Sequence, residues 1–184
     1  MTIAGRPVRR IISVDDERGK SKAIADGPSS DVRTDPARPG YRATRIWVTD
    51  RTPARIAGIR DTVGLPHTIE PPPGGSVCRI VTFPPDASYK VGARDVQAFF
   101  SAMGSPQAST YSAGAHHPYM QKTRTLDFCL VLEGEITLVL DTEEVPLQAG
   151  DTVVQRGTNH AWSNRSDRPC VIAFSSHDAT DAAG

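Results

Sequence analysis

The chain has 184 residues, and its 21 basic and 21 acidic side chains give a formal net charge of zero at pH 7. This balance argues against nucleic acid as a main partner, because phosphate binding needs a concentrated positive surface. The length suits one domain, and no stretch approaches the roughly twenty apolar residues of a membrane span, so we expect a soluble, cytoplasmic protein with no membrane partner.

The first half of the chain contains short strand candidates. Apolar and β-branched runs predict strands at residues 8–14, 43–49 and 77–83, and residues 22–25 are a candidate hairpin partner for the first of them. An N-terminal strand needs a sheet edge to pair with, either its own or that of a partner.

Residues 52–75 contain five prolines and four glycines and fit no regular element. A long segment of this kind that joins two strands is either a linker or a loop at the edge of an active site. Whether it closes over the mouth of a cavity stays open at this point.

One helix is predicted, from residues 93–95 to Met103, with Asp95 near its positive end and Gly104 placed to stop it. Its apolar residues recur at helical spacing and form one stripe: Val96, Phe99, Phe100 and Met103. We expect this stripe to pack against the outside of a β-barrel; the alternative is that it covers the mouth.

Residues 128–174 predict five or six short strands, because turn-forming residues interrupt the apolar runs at regular intervals. The turns fall at Gly134, residues 141–143, Gly150, Gly157 and residues 167–169. Evenly spaced short strands with such turns are typical of a sandwich or barrel.

Residues 150–164 predict a turn, a β-branched strand, a second turn and a returning strand that carries His160 and Trp162. Side chains alternate along a strand, so His160 and Trp162 share one face and Ala161 lies on the other. If the shared face looks into a barrel, His160 lines its cavity.

This stretch resembles the second conserved motif of the cupin superfamily, with matches at Gly150, Asp151, His160 and Asn164. Arg156 and Gly157 stand in a turn that is one residue shorter than the family pattern and lacks its proline. Upstream, residues 126–140, with a Val-Leu-Glu-Gly turn that ends at Gly134, resemble the end of the first cupin motif.

The resemblance implies an all-β fold, a cupin jelly-roll β-barrel with an N-terminal strand extension and one short helix. Residues 1–75 would form the extension, with strands and the proline-rich loop packed on the barrel, and residues 76–184 the barrel itself. Cupins of this shape commonly pair through added strands, so the resemblance also implies a homodimer.

The family's metal site uses two histidines and an acidic residue of the first motif together with the histidine of the second. Here the acidic position falls on Asp127, and the two histidine positions fall on Gln121 and Thr123, or on Met120 and Lys122. A divalent Fe, Mn, Ni, Cu or Zn ion would therefore depend on His160, Asp127, Gln121 and His117. This set is poorer in imidazole than such ions prefer, and we expect no tightly bound metal.

Three cysteines, Cys78, Cys129 and Cys170, lie far apart in strand-like runs and are interpreted as thiols in a reducing compartment. Cys129 shares strand parity with Asp127, so it is either a small core residue or a thiol facing the pocket.

The resemblance implies a small-molecule enzyme of a kind found with secondary-metabolite pathways. Without a metal, acid–base chemistry on an organic acid or an aromatic or polyketide-like substrate is the leading hypothesis, in the form of isomerisation, dehydration or decarboxylation. His160, Asp127 and Lys122 are the predicted catalytic residues. The predicted substrate-binding residues are Tyr119, Gln121, Arg124, Cys129 and Trp162.

Two alternatives remain from the sequence. One is a metal-dependent cupin oxidoreductase or dioxygenase, and the other is a barrel that binds a small ligand without chemistry. Lost metal ligands are the evidence for the second.

Overall fold

The computed structural model describes residues 2–56, 61–62 and 64–180. Strands dominate these ranges, and one α-helix accompanies them. In chain order the elements are β1 (Arg9–Asp15), β2 (Ser21–Pro28), β3 (Val32–Thr34), β4 (Arg42–Thr49), β5 (Ser76–Phe83), α1 (Ala93–Ala102), β6 (Thr125–Glu133), β7 (Glu135–Leu140), β8 (Glu144–Gln148), β9 (Thr152–Arg156), β10 (His160–Ser163) and β11 (Cys170–Asp178).

Two antiparallel sheets form the body of the molecule. A six-stranded sheet has the order β3-β4-β5-β11-β6-β9, and a three-stranded sheet has the order β10-β7-β8. Several neighbours in these sheets are far apart in sequence, among them β5 with β11 and β6 with β9. This is the arrangement of a jelly roll, where the chain passes repeatedly from one sheet to the other. The all-β jelly-roll fold predicted from the sequence is confirmed.

The N-terminal hairpin forms a separate two-stranded sheet, β1-β2, in which Ile12 faces Ala25. The strands that follow it, β3 and β4, instead extend the six-stranded sheet through the pairing of β4 with β5. The first part of the chain therefore supplies one wall of the barrel as well as an appended hairpin.

Strand alternation determines which side chains face the interior. Along β6 the buried residues are Thr125, Asp127, Cys129 and Val131, whereas Phe128 and Leu130 between them are exposed. A strand with one buried face shows this period of two. Polar Thr125 and Asp127 thus share the inward face with apolar residues of the core.

Helix α1 is capped at its N-terminus, where the backbone N–H of Gly92 donates to Asp95 Oδ2 at 2.8 Å. It ends before Gly104, whose φ of +74° lies in the left-handed region that favours glycine. Phe99, Phe100 and Met103 line an interior cavity of the barrel rather than its outer surface. The expectation that the stripe packs against the outside of the barrel is therefore corrected, because these side chains pack in the core; that the helix covers the mouth of the barrel stays a prediction.

Within the described residues, no helix is long and apolar enough to cross a membrane.

Gly134, at the turn between β6 and β7, has a φ of +82°. An alanine Cβ there would lie 2.7 Å from the carbonyl oxygen of Pro169, and no side-chain movement would relieve that contact. Gly19, with a φ of +68°, has nothing within 4 Å of the same position. Comparing alanine substitutions at these two glycines therefore separates the cost of left-handed backbone from the cost of steric overlap.

We predict that Gly134→Ala lowers the free energy of unfolding more than Gly19→Ala does. Left-handed backbone alone costs an alanine about 1–2 kcal/mol, and the overlap at Gly134 adds about 1–3 kcal/mol. Urea unfolding of both variants measures the difference. Equal losses would contradict the close approach of the turn to Pro169.

Candidate functional site

A cavity of about 70 Å³ lies between the two sheets and helix α1. Its apolar lining is mostly aromatic and consists of Tyr41, Phe83, Phe99, Phe100, Tyr119, Trp162 and Phe174, with Ile69, Val81 and Met103. Its polar lining consists of Arg38, Arg79, Gln121, Thr123, Thr125, Asp127, His160 and Ser176. Sites for drug-sized ligands span roughly 300–1,000 Å³, so this cavity suits a small molecule or one end of a larger molecule.

His160 begins β10, and a two-way backbone bridge fixes its position. Its N–H donates to the carbonyl of Gln121 at 2.9 Å, and the N–H of Gln121 donates to its carbonyl at 2.8 Å. The side chain is buried, with an exposure of 3%, and its ring lies edge-on to Trp162 at 5.9 Å between centroids. Trp162 lines the same cavity, whereas Ala161 packs in a separate small cluster, as strand alternation predicts.

The hydrogen bonds of His160 determine its tautomer. Nδ1 lies 2.9 Å from the carbonyl oxygen of Thr158, and because a carbonyl only accepts, Nδ1 carries the proton. Nε2 is then a lone-pair acceptor, 3.4 Å from the Gln121 side-chain amide nitrogen, which donates to it. Burial lowers the pKa of His160, although the Thr158 carbonyl and Asp127 oppose that shift. The imidazole is therefore neutral near pH 7, with a basic nitrogen in the cavity.

Asp127 lies on β6 and is buried, with an exposure of 7%. Burial raises its pKa, and the hydroxyl groups of Ser176 and Thr125, which favour the charged form, offset that effect in part. Oδ2 accepts a hydrogen bond from Thr125 Oγ1 at 3.2 Å, whereas Oδ1 has no hydrogen-bond partner among the described residues. One cavity thus contains a base and an acid that are both shifted toward their neutral forms, an arrangement found in acid–base active sites.

Arg79, on β5, was not predicted from the sequence. It is buried, with an exposure of 6%, and its Nη2 donates to the carbonyl of Thr68 at 3.0 Å. Burial lowers the pKa of its guanidinium, although Tyr41 and Asp127 oppose the shift. The signal that could have found it is parity: Arg79 alternates with Val77 and Val81, so the apolar pattern places it on the inward face.

Arg38 and Asp35, in the loop before β4, form a second group that the sequence patterns do not predict. Arg38 Nε donates to Asp35 Oδ2 at 2.7 Å, and the Tyr119 hydroxyl donates to the same oxygen at 2.9 Å. The guanidinium carbon lies 3.4 Å from the ring centroid of Tyr119 and 4.2 Å from that of Tyr41. Tyr119 therefore presents a ring to the cavity, while its hydroxyl is already bonded to Asp35.

The structure brings five of the predicted site residues to one cavity: His160, Asp127, Gln121, Tyr119 and Trp162. Lys122 and Arg124 do not join them. Both are exposed and line a separate groove together with Glu70 and Asp178. The reason is alternation, because Gln121, Thr123 and Thr125 point inward and the residues between them point outward. The expectation that Lys122 and Arg124 face the cavity is therefore corrected.

Cys129 and His117 also lie away from the cavity lining. Cys129 packs in the hydrophobic core, where burial raises the pKa of its thiol and keeps it protonated. His117 Nε2 lies 3.6 Å from Asp86 Oδ2, outside the cavity. The small-core interpretation of Cys129 holds, and the expected contribution of His117 to a metal site is corrected.

The donors that line the cavity do not fit the family's metal site. His160 Nε2 and the Asp127 carboxylate are the strong ones, Gln121 adds an amide, and the described residues contain no cluster of three His, Cys, Asp or Glu side chains suited to a metal. Arg79 adds a positive charge to the same lining. First-row divalent ions need more imidazole or carboxylate donors than this set offers. The expectation that no metal binds tightly stays a prediction.

We predict that Asp35→Ala destabilises the protein by about 3–5 kcal/mol, because it leaves Arg38 buried without an anion and removes the acceptor of the Tyr119 hydroxyl. Asp26→Ala is the matched control, since the Arg9–Asp26 pair is exposed and screened by solvent. Chemical unfolding compares the two. If the control loses as much stability as Asp35→Ala, the buried pair does not hold this wall of the cavity.

Comparison with known proteins supports the family resemblance. The family model "Cupin domain" matches residues 109–176, which include His160 and Asp127. Phomopsin biosynthesis cluster protein D of Diaporthe leptostromiformis is 35% identical over 136 residues, covering 72% of this chain and 69% of that protein. Protein C' of the same cluster is 31% identical over 144 residues, with the same coverage.

A third relative, the cupin-domain-containing oxidoreductase virC of Hypocrea virens, is 30% identical over 128 residues, covering 66% of this chain and 50% of that protein. The family match, the identity of the relatives and the jelly-roll sheets agree with one another. The chain belongs to the cupin superfamily.

Proposed function

We propose that this cupin is an enzyme that moves a proton on a small organic molecule bound in the barrel cavity. The observation that carries the proposal is that one cavity lining contains both His160, whose Nε2 has no proton, and Asp127, whose Oδ1 has no hydrogen-bond partner among the described residues. General acid–base catalysis needs two such groups within reach of one ligand.

In the proposed reaction, His160 Nε2 accepts a proton from a carbon next to a carbonyl or carboxyl group. The electron pair of that C–H bond moves onto the carbonyl oxygen as an enolate, or expels a leaving group from the neighbouring carbon. Asp127, in its neutral form, donates a proton to that oxygen or leaving group. Isomerisation and dehydration begin with this step, and decarboxylation ends with its reverse, in which a carbanion is protonated.

Gln121 has a positioning function in this scheme. Its side-chain amide donates to His160 Nε2 at 3.4 Å, a long hydrogen bond that a ligand can replace. The Thr158 carbonyl keeps the proton on Nδ1 throughout, and the imidazolium that forms keeps that bond. The base is therefore held in one tautomer before the ligand arrives.

The relatives support the coarser part of the proposal. Two of them are proteins of the phomopsin biosynthesis cluster, which makes action on a small organic molecule a reasonable expectation for this chain. One relative is described as an oxidoreductase. The cavity of this chain has fewer metal donors than the family's metal-dependent oxidation chemistry uses, so proton transfer is better supported here.

A barrel that binds a ligand without chemistry is the second candidate. The observation that favours it is the small cavity itself, whose apolar lining is mostly aromatic, as is common in ligand-binding sites. Replacing His160 separates the two candidates, because an enzyme loses turnover while a binder loses affinity or nothing.

We predict that His160→Ala slows proton exchange by on the order of 10²–10⁴-fold, the usual contribution of a general base. The measurement is ¹H NMR in D₂O, which follows loss of carbon-bound protons in a panel of small keto, hydroxy and unsaturated acids. His116→Ala is the matched control, since that histidine is exposed. Equal exchange by the wild type and His160→Ala, or no exchange above background by the wild type, would contradict the proposed enzyme.

The same exchange should depend on pH through both groups. His160 must be neutral to act as a base, and burial lowers its pKa below the ordinary 6.5, so we expect the acidic decline of the rate to be centred below pH 6.5. Asp127 must be protonated to act as an acid, and burial raises its pKa above the ordinary 3.8, so the rate also falls as pH rises through that raised value.

Rate profiles of kcat/KM against pH for the wild type and Asp127→Asn test these assignments. The variant should lose the alkaline decline and keep the acidic one. An acidic decline centred at or above pH 6.5 would contradict the assignment of a buried His160 as the base.

A further inference from the structure

We infer that the cavity's ligand carries a single carboxylate and that Arg79 binds it. The inference rests on the proposed function in one respect, because it takes the cavity as the substrate site. The supporting observation is that, among the described residues, Arg79 is a buried cation beside the cavity without a carboxylate partner.

Two of the three buried arginines here have a carboxylate partner. Arg38 pairs with Asp35, both nearly fully buried. Arg45, which faces Arg79 across the β4–β5 pair, contacts Asp31 and donates to the carbonyl of Pro66 at 2.8 Å. The charges of these two arginines are therefore compensated within the protein.

Arg79 differs from both. In the described part of the chain no ion pair joins it to a carboxylate; its Nη2 contacts a backbone carbonyl, and its Nε has no hydrogen-bond partner. A buried guanidinium without an anion is costly, and its planar fork of donors matches a carboxylate. Arg79 therefore has an unsatisfied donor and also lines the cavity.

Other groups near Arg79 do not supply the missing anion. His67 is neutral at pH 7, because burial and the charge of Arg79 lower its pKa to about 4. Asp127 lines the same cavity, but in the described part of the chain no ion pair joins its carboxylate to Arg79; burial raises the pKa of Asp127, and the charge of Arg79 opposes that shift. Tyr41 is buried with a raised pKa and stays protonated. Arg79 therefore has no carboxylate within ion-pair distance among the described residues, and an anionic ligand would supply one.

The rest of the lining determines the remainder of the ligand. Arg79 faces Phe174 across the β5–β11 pair, and Phe174 lies edge-on to Trp162 at 5.5 Å between ring centroids. An apolar chain beyond the carboxylate would contact these rings, whereas a second carboxylate would find no free cation, since Arg38 is paired. The ligand class is a small monocarboxylic acid with an apolar or weakly polar remainder.

The test is calorimetric titration of the full chain at pH 7 and constant ionic strength, with acetate, propionate and crotonate as size-graded probes. Crotonamide matches crotonate without the charge, and succinate adds a second charge. We expect at least one monocarboxylate to bind, and crotonamide and succinate to bind at least tenfold more weakly than crotonate. Arg79→Met should weaken monocarboxylate binding on the order of 10–100-fold.

Arg124→Met is the matched control, because that arginine is exposed in the separate groove. It should leave monocarboxylate binding unchanged. The ligand-free Arg79→Met variant should be at least as stable as the wild type, since it removes a buried charge that has no carboxylate partner.

The inference is overturned if none of the three monocarboxylates binds, if Arg79→Met binds them as the wild type does, or if that variant fails to fold. Its failure is distinct from failure of the proposed function. Monocarboxylate binding that depends on Arg79, without proton exchange in the wild type, contradicts catalysis alone. Exchange that survives Arg79→Met unchanged contradicts the carboxylate site alone.

Discussion

The site depends on one short hydrogen bond, from Nδ1 of His160 to the carbonyl of Thr158, at 2.9 Å. A backbone carbonyl accepts only, so this bond fixes the tautomer and leaves Nε2 without a proton. The bond forms because the chain turns at Gly157, whose φ is +63°, before His160 pairs with Gln121 in the sheet. The turn at Gly157 and the strand pairing of His160 thus together determine which nitrogen of the imidazole carries the proton.

Burial then influences the charge of the titratable side chains in the cavity. In a medium of low polarity a charged side chain is stable only with a partner, and the molecule satisfies this rule at Arg38 with Asp35. His160 and Asp127 respond by shifting toward their neutral forms. Arg79 stays charged, and among the described residues it has no carboxylate partner and an unsatisfied Nε.

The sequence predicted the parts of the fold that repeat along the chain. Alternation over β10 placed His160 and Trp162 on one face, and Asp95 together with Gly104 predicted the bounds of α1 closely. Asp127 was reached through the resemblance to the first cupin motif, and it lies on the buried face of β6. These patterns are local, so a single sequence contains them.

What the sequence reading missed depends on contacts between distant segments. The loop that carries Arg38 has no periodic pattern, and its position is set by Tyr119, more than eighty residues away along the chain. Lys122 points away from the cavity because the inward and outward alternation of β6 continues through the irregular stretch before it, where Gln121 and Thr123 face inward. Arg79 was within reach of the same rule, since it alternates with apolar residues of β5.

The most direct test of this account is the tautomer and charge of His160, read from ¹H–¹⁵N long-range correlation NMR of the ligand-free protein at pH 7. The account predicts a neutral ring with its proton on Nδ1. A ring protonated on Nε2, or a doubly protonated ring at this pH, would contradict both the proposed base and the electrostatics of the cavity.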